Sequence, residues 1–150
     1  MVSHTEHTNV NTSLYIHMYY TLSKGVIPAN TRASSNWAIR NFNDWASNRS
    51  AMTPDDPVPA NLLKSQDTVL LCKWLCRYVM ETRRTDGSQY PPATLRSLLS
   101  GVNRVLQENK APFSILDNDD YRFKDLLKTM DTLCSDLHSQ GIGATKIVRR

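Results

Sequence analysis

The segment Gln66–Arg83, QDTVLLCKWLCRYVMETR, holds the key to how this chain folds. Val69, Leu70, Leu71, Cys72, Trp74, Leu75, Cys76, Tyr78, Val79 and Met80 run almost all the way round a helix of about 3.6 residues per turn. A helix apolar on nearly every side is stable only when other helices surround it. Lys73 and Arg77, with Arg84 just beyond, interrupt that surface. At roughly 100° per residue they fall within about 40° of one another, so they form one narrow basic stripe that must meet solvent or a ligand. A bundle with this segment at its centre is expected.

Downstream, Thr85, Asp86 and Gly87 turn the chain, and Pro91 and Pro92 stand where proline is tolerated, in the first turn of a helix. That third helix carries Leu95, Leu98, Leu99, Val102 and Leu106 on its core face, with Arg96, Ser100, Asn103 and Gln107 opposite. Gly101 costs about 1 kcal/mol relative to Ala inside a helix, so it marks either close packing against a neighbour or an unselected glycine. Upstream, a first helix is expected over about Asn30–Arg49, capped by Asn30 or Thr31. Trp37, Ala38, Phe42, Trp45 and Ala46 share one stripe of it, and both tryptophans are expected to anchor the core. Pro54, Pro57 and Pro59 then exclude a helix interior or a central strand and leave an ordered or semi-extended loop. A fourth helix follows Asp117–Asp120, which supply a cap and negative charge at the positive end of the dipole. Phe123, Leu126, Leu127, Met130, Leu133, Cys134 and Leu137 recur along it, and Gly141–Gly143 stop it.

No alternating strand pattern longer than a few residues, no fixed-period repeat and no low-complexity tract interrupts this series. The fold expected is all-α, a single orthogonal bundle of four main helices over residues 30–143. Residues 1–29 read as an N-terminal tail with room for one short helix around LYIHMYY, and residues 144–150 as a C-terminal tail or truncated linker.

A chain of 150 residues can bury a core without staples, and 40% hydrophobic with 21% charged residues argues against wholesale disorder. Three cysteines, two of them four apart in an apolar run, point to reduced thiols in a cytosolic or nuclear protein. No stretch approaches the roughly 18 apolar residues of a membrane span, and the N-terminus lacks the pattern of a secretory signal. No membrane partner is expected. The net charge of +4 is rich in arginine, whose planar fork suits phosphate, so nucleic acid becomes a candidate partner.

Autonomous chemistry finds little footing. His4, His7, His17 and His138 are scattered, and no Cys or His set has zinc spacing. Cys72 and Cys76 could offer two thiolates from one helix but have no second pair nearby, and they read as small buried hydrophobes. Phosphate-cradling, serine-hydrolase and zinc-protease motifs are missing, and GIGATK at 141–146 reads as a helix stop. Asp55 with Asp56 and Asp119 with Asp120 occupy loop and cap positions. No catalytic residue, metal, cofactor or small-molecule substrate is therefore expected. The positive charge is better organised: Lys73, Arg77, Arg83 and Arg84 on and after the second helix, and Arg96, Arg104 and Lys110 on the third. Two such faces can flank a duplex, with the arginines on phosphates and Asn103 or Gln107 on base edges. An ordinary solvated surface is the other reading.

Three stretches carry a resemblance: NTRASSNWAIRNFNDWASNR (30–49), LLCKWLCRYVMETRRTDGSQYPPATLRSLLSGVNRVL (70–106) and FKDLLKTMDTLCSDLHSQGIGATK (123–146). Together they resemble the N-terminal part of Crypton-type tyrosine recombinases and of host proteins derived from them, including zinc finger MYM-type proteins. The similarity covers about Ile27–Lys146. It implies a SAM-like, integrase N-terminal-like core-binding domain that clamps one side of double-stranded DNA while a separate C-terminal domain does the chemistry. A nuclear location and recombinase-like or host nuclear protein partners are implied with it. The family's catalytic arginines, HxxR element and tyrosine nucleophile would lie downstream, and this chain ends at Arg150. None of its histidines is followed by arginine three positions later, so Tyr15, Tyr19, Tyr20, Tyr78, Tyr90 and Tyr121 are not credible nucleophiles. The expectation is a non-catalytic DNA-binding domain using Lys73, Arg77, Arg83, Arg84, Arg96, Asn103, Arg104, Gln107 and Lys110. A fragment of an active recombinase and a domesticated helical protein-interaction module are the alternatives.

Overall fold

The side chain of Asp67 accepts a hydrogen bond from the Leu70 N–H at 3.1 Å and so starts the central helix one turn ahead of its apolar run. The computed structural model describes residues 29–143, in which four α-helices follow one another: α1 Ala29–Met52, α2 Thr68–Glu81, α3 Pro92–Glu108 and α4 Lys124–Ser139. Short 3-10 turns at Leu62–Lys64 and Tyr121–Phe123 precede α2 and α4. The expected tails lie outside the described residues except at Ala29. The expectation of an all-α domain of four main helices packed as a bundle is met. α1 lies mainly on α3 and α4 mainly on α2, with smaller α1–α2 and α3–α4 contacts.

α2 is shorter than its apolar pattern suggested. It ends at Glu81, which leaves Arg83 and Arg84 on the following turn rather than on the helix stripe. Leu71, Trp74, Leu75, Tyr78 and Val79 are buried, whereas Val69 is 79% exposed and Met80 46%, so one side of the helix does reach solvent. α1 in turn runs one residue earlier and three later than expected, and Asn30 and Thr31 are helical residues rather than caps.

One close approach sets the relation of α1 to α3. A Cβ built on Gly101 would stand 2.4 Å from the Cβ of Ala38, so the two helices touch where only a hydrogen on one side and a methyl on the other can fit. Below that point Phe42 and Trp45 of α1 meet Tyr78 of α2, with ring centroids 5.1 and 5.3 Å from Tyr78, each tilted or edge-on as aromatic quadrupoles favour. Trp45 is a core residue; Trp37, expected beside it, is 36% exposed at the surface. The difference follows from α1 packing along its Ala38, Phe42 and Trp45 line, which leaves Trp37 at the border.

A polar knot sits within this apolar region. Asn41 Oδ1 accepts hydrogen bonds from Tyr78 Oη at 2.7 Å and Thr82 Oγ1 at 3.0 Å, while its Nδ2 donates to Tyr90 Oη at 2.9 Å. One amide thereby ties α1 to α2 and to the turn before α3. Burial pushes the Tyr78 hydroxyl well above the usual phenol range, so it remains a donor at all physiological pH.

The helix ends follow their residues. Pro91 caps α3 and Pro92 is its first residue. At its C-terminus Lys110 N–H bonds Gln107 O and Ala111 N–H bonds Leu106 O, a Schellman closure that forces Lys110 into a left-handed φ of 66°. Asp120 caps the 3-10 turn that leads into α4, and at the far end Gly141 takes φ 79° while Ile142 N–H bonds Leu137 O. Gly143 then passes so close to Pro92 that a Cβ there would stand 2.7 Å from the proline Cδ, which docks the end of α4 on the start of α3.

Gly101→Ala is expected to lower stability despite Ala's better helix propensity, because an added methyl must push α1 away from α3. Overpacking of this kind costs about 1–3 kcal/mol, against a propensity gain of about 1 kcal/mol. Denaturant unfolding should show the midpoint falling, and Ala38→Gly in the same chain should restore part of the loss.

Candidate nucleic-acid interface

Trp74 organises the basic residues of α2. Its ring is 2% exposed at the residue level yet carries three cations about it: Arg77 at 4.9 Å from the centroid, Arg49 at 5.1 Å and Lys73 at 5.3 Å. Arg49 comes from α1, so the stripe predicted on α2 alone is completed across the α1–α2 seam. Two acids counter it. Asp56 Oδ2 accepts from Arg77 Nη1 at 2.7 Å and lies 3.9 Å from Arg49 Nη2, and the Arg77 hydrogen bond holds its carboxyl below the usual carboxylate range. Glu81 Oε1 accepts from Trp45 Nε1 at 3.1 Å and stands 3.2 Å from Arg49 Nε. That second approach is close in charge but poor in direction: Arg49 Nε and Nη1 are buried without a hydrogen-bond acceptor.

From Arg49 a groove of about 820 Å³ runs along α1 towards the α2–α3 turn. Arg40, Asp44 and Arg49 line one side, Arg83 and Arg84 the other, with Trp37 and Tyr90 at its far end. Arg84 lies 5.9 Å above the Tyr90 ring, and Trp37 meets the same ring edge-on at 6.2 Å. Arg83 Nη1 donates to the carbonyls of Met80 and Thr82, both at 2.8 Å, satisfying α2's terminal carbonyls without neutralising the guanidinium. No carboxylate lies within ion-pair distance of Arg40, Lys73, Arg83 or Arg84 among the described residues.

The third helix presents a different picture. Asn103 Nδ2 donates to Ser114 Oγ at 3.1 Å, and its Oδ1 accepts from the Ile115 N–H at 3.1 Å. Gln107 is buried, 6% exposed, with Nε2 donating to the Phe113 carbonyl. Both amides hold the 111–116 loop onto α3, so the polar face expected there is at these two positions an internal seam. Arg104 is half-buried and its Nε donates to Ser35 Oγ at 2.7 Å, clasping α1. Arg96 and Lys110 are exposed, Arg96 close enough to Cys134 to influence its thiol and Lys110 at the left-handed helix end. The candidate residues thus divide: Lys73, Arg77, Arg83 and Arg84 gather along α2 and its turn, while Asn103, Arg104 and Gln107 are engaged in packing.

Arg40 and Arg49 complete the basic track and escaped the sequence reading, as did the part of Asp56 in countering it. Arg40 lies on the polar side of α1 and Arg49 on its core-facing stripe one turn beyond Trp45, and only the α1–α2 contact brings Arg49 to the second-helix cations. A cation four positions after Trp45, on the same stripe as Phe42 and Trp45, was the available signal. Charge quantity is a poorer guide than charge placement. Lys24, Lys146, Arg149 and Arg150 lie outside residues 29–143, whereas all acidic residues except Glu6 lie within. Most of the net positive charge is thus carried by the flanking segments.

Among the described residues no group of three or more potential metal-ligating side chains comes together. Cys72 and Cys134 are buried and Cys76 half-buried, all as free thiols. Burial pushes the Cys76 thiol up to about 11, against a smaller opposing effect of the Thr129 hydroxyl 3.7 Å away. No helix among the described residues is long and apolar enough to cross a membrane.

Two outcomes check these assignments. Asn103→Ala should lower unfolding stability by about 1–3 kcal/mol, since it strands the Ile115 N–H and Ser114 hydroxyl. At pH 8 the folded protein's Cys76 should react with a thiol-specific reagent far more slowly than in denaturant, because the thiolate is scarce below its raised pKa. Comparison with known proteins yields no matching family model, no matching curated protein and no matching solved structure.

Proposed function

We propose that this domain is a non-catalytic DNA-binding module that grips the phosphates of double-stranded DNA through the α1–α2 side of the bundle. The observation that carries the reading is the continuous basic track from Lys73 and Arg77 on Trp74, through Arg49, to Arg40, Arg83 and Arg84. Exposed guanidinium and ammonium groups on a rigid helical scaffold suit phosphate oxygens, and an arginine already stacked on an aromatic ring loses little side-chain freedom on binding. The resemblance to the core-binding region of Crypton-type tyrosine recombinases supports the same partner and a nuclear setting. On this reading the contacts expected from Asn103 and Gln107 to base edges drop out, and recognition is of backbone rather than sequence.

Asp56 and Glu81 moderate the grip. Each holds a cation of the track in place and cancels part of its charge, so the domain should bind at micromolar rather than nanomolar strength. Nonspecific duplex binding of this kind has a dissociation constant of about 10⁻⁴–10⁻⁶ M at physiological salt.

The second reading, a helical protein-interaction module, draws on the exposure of Trp37 and of Tyr121, the latter 83% exposed. Singly exposed aromatics are ordinary on protein surfaces, and the charge track favours DNA.

Titrating the full chain with a blunt duplex across a salt series should give affinity that falls steeply with salt. Replacing Lys73, Arg83 and Arg84 together by Ala should flatten the slope of log K against log salt by about 2–3, at roughly 0.9 per phosphate contact. Asp56→Asn should tighten binding, and Lys128→Ala on α4 should change little. Absence of duplex binding at low salt, or a slope unmoved by the triple substitution, would sink the proposal.

A further inference from the structure

The groove between α1 and the α2–α3 turn differs from a surface made only for duplex phosphates, because it has an aromatic end beside its cationic walls. At one end Trp37 stands a third exposed against the edge of Tyr90, whose hydroxyl is fixed by Asn41 and whose face is covered by Arg84. A partly open indole held by a rigid neighbour is a stacking surface for a planar base. At the other end Arg49 is enclosed and countered by Glu81 at 3.2 Å and Asp56 at 3.9 Å, so the free positive charge of the groove lies on its walls rather than at that end. Arg40 and Arg83 lie on the walls between.

The distance between the ends fits a short strand. From Trp37 to Arg49 along α1 is about 18 Å at 1.5 Å rise per residue. A stacked strand advances about 3.4 Å per nucleotide, so the groove accommodates about five nucleotides. The interior of a paired duplex offers no free base face to Trp37; an unpaired strand does.

We infer that the groove binds a single, unpaired DNA strand, with a base stacked on Trp37 and phosphates on Arg40 and Arg83. The inference rests on the DNA-binding proposal and narrows it: the preferred ligand is a duplex that opens into a single-stranded stretch. Such a stretch lies on the α1 side while the flanking duplex meets Lys73 and Arg77.

The test compares a blunt duplex, the same duplex with a thymidine overhang of about eight nucleotides, enough to exceed the groove's span, and the overhang strand alone, each titrated into the full chain. The expected result is overhang affinity at least about fivefold above blunt, with quenching of tryptophan fluorescence, since stacking on one aromatic is worth about that factor or more. Trp45 and Trp74 are buried, so the quenching reports chiefly on Trp37. Trp37→Ala should erase both the preference and the quenching while blunt-duplex affinity stays the same; Trp37→Phe should retain part of the preference, and circular dichroism of both variants verifies the fold. Equal affinity for blunt and overhang DNA, or a preference that survives Trp37→Ala, overturns the inference and leaves the duplex proposal standing. Overhang binding without blunt binding supports the inference and overturns the duplex proposal. Binding of neither overturns both.

Discussion

The contact between Gly101 and Ala38 is the constraint on which the rest of the domain depends. Because α3 has no side chain at that point and α1 only a methyl, the two backbones approach until further contact is impossible. This fixes how α1 lies on α3 and, one turn further on, places Asn41 where it can reach Tyr78, Thr82 and Tyr90 at once. Ser35, one turn before, is brought to Arg104. A wider separation would undo hydrogen bonds on both sides of it, and buried amides and hydroxyls without partners are costly. The same geometry that fixes the core therefore fixes the floor and far wall of the basic groove.

Around Trp74 the balance is electrostatic. Three cations near one indole repel one another, and only their shared attraction to the ring face and the two flanking carboxylates makes the cluster tolerable. Arg49 bears most of the tension: it is the most enclosed of the ion-paired arginines and has the poorest hydrogen bonding. Arg77 has the short, well-directed bond to Asp56 and the greater exposure.

The helices were legible because their punctuation is local. Pro91 and Pro92, the aspartates before Phe123 and the glycines after Ser139 act through backbone geometry that their own residue types dictate. The third-helix core was legible for the same reason, since Leu95, Leu98, Leu99, Val102 and Leu106 are all buried as their spacing requires. The site was legible only in part. A helical wheel places Asn103 and Gln107 opposite the leucines, but it contains no information about the loop at 111–116 that folds back over them. It equally hides that Arg49, twenty-four positions before Lys73, ends on the same tryptophan. Trp37 and Trp45 look equivalent on a stripe, and tertiary packing alone separates the surface residue from the core residue.

Charge is spread unevenly over the domain. Asp117, Asp119, Asp120, Asp125, Asp131 and Asp136 all belong to α4 and the loop before it, while Arg40, Arg49, Lys73, Arg77, Arg83 and Arg84 belong to α1, α2 and the turn after it. The separation is partial: Lys124 and Lys128 share α4, Arg122 pairs with Asp120, and on the α1–α2 side Asp56 and Glu81 pair with Arg77 and Arg49. On the DNA-binding proposal, Arg40, Lys73, Arg83 and Arg84, which no carboxylate pairs, are the charges that orient the domain towards a polyanion, which raises productive encounters without demanding high affinity. Their placement also confines contact to one side. On the same proposal, the six aspartates of α4 and the loop before it, half offset by Arg122, Lys124 and Lys128, disfavour phosphate there and leave the α1–α2 groove as the side a polyanion approaches.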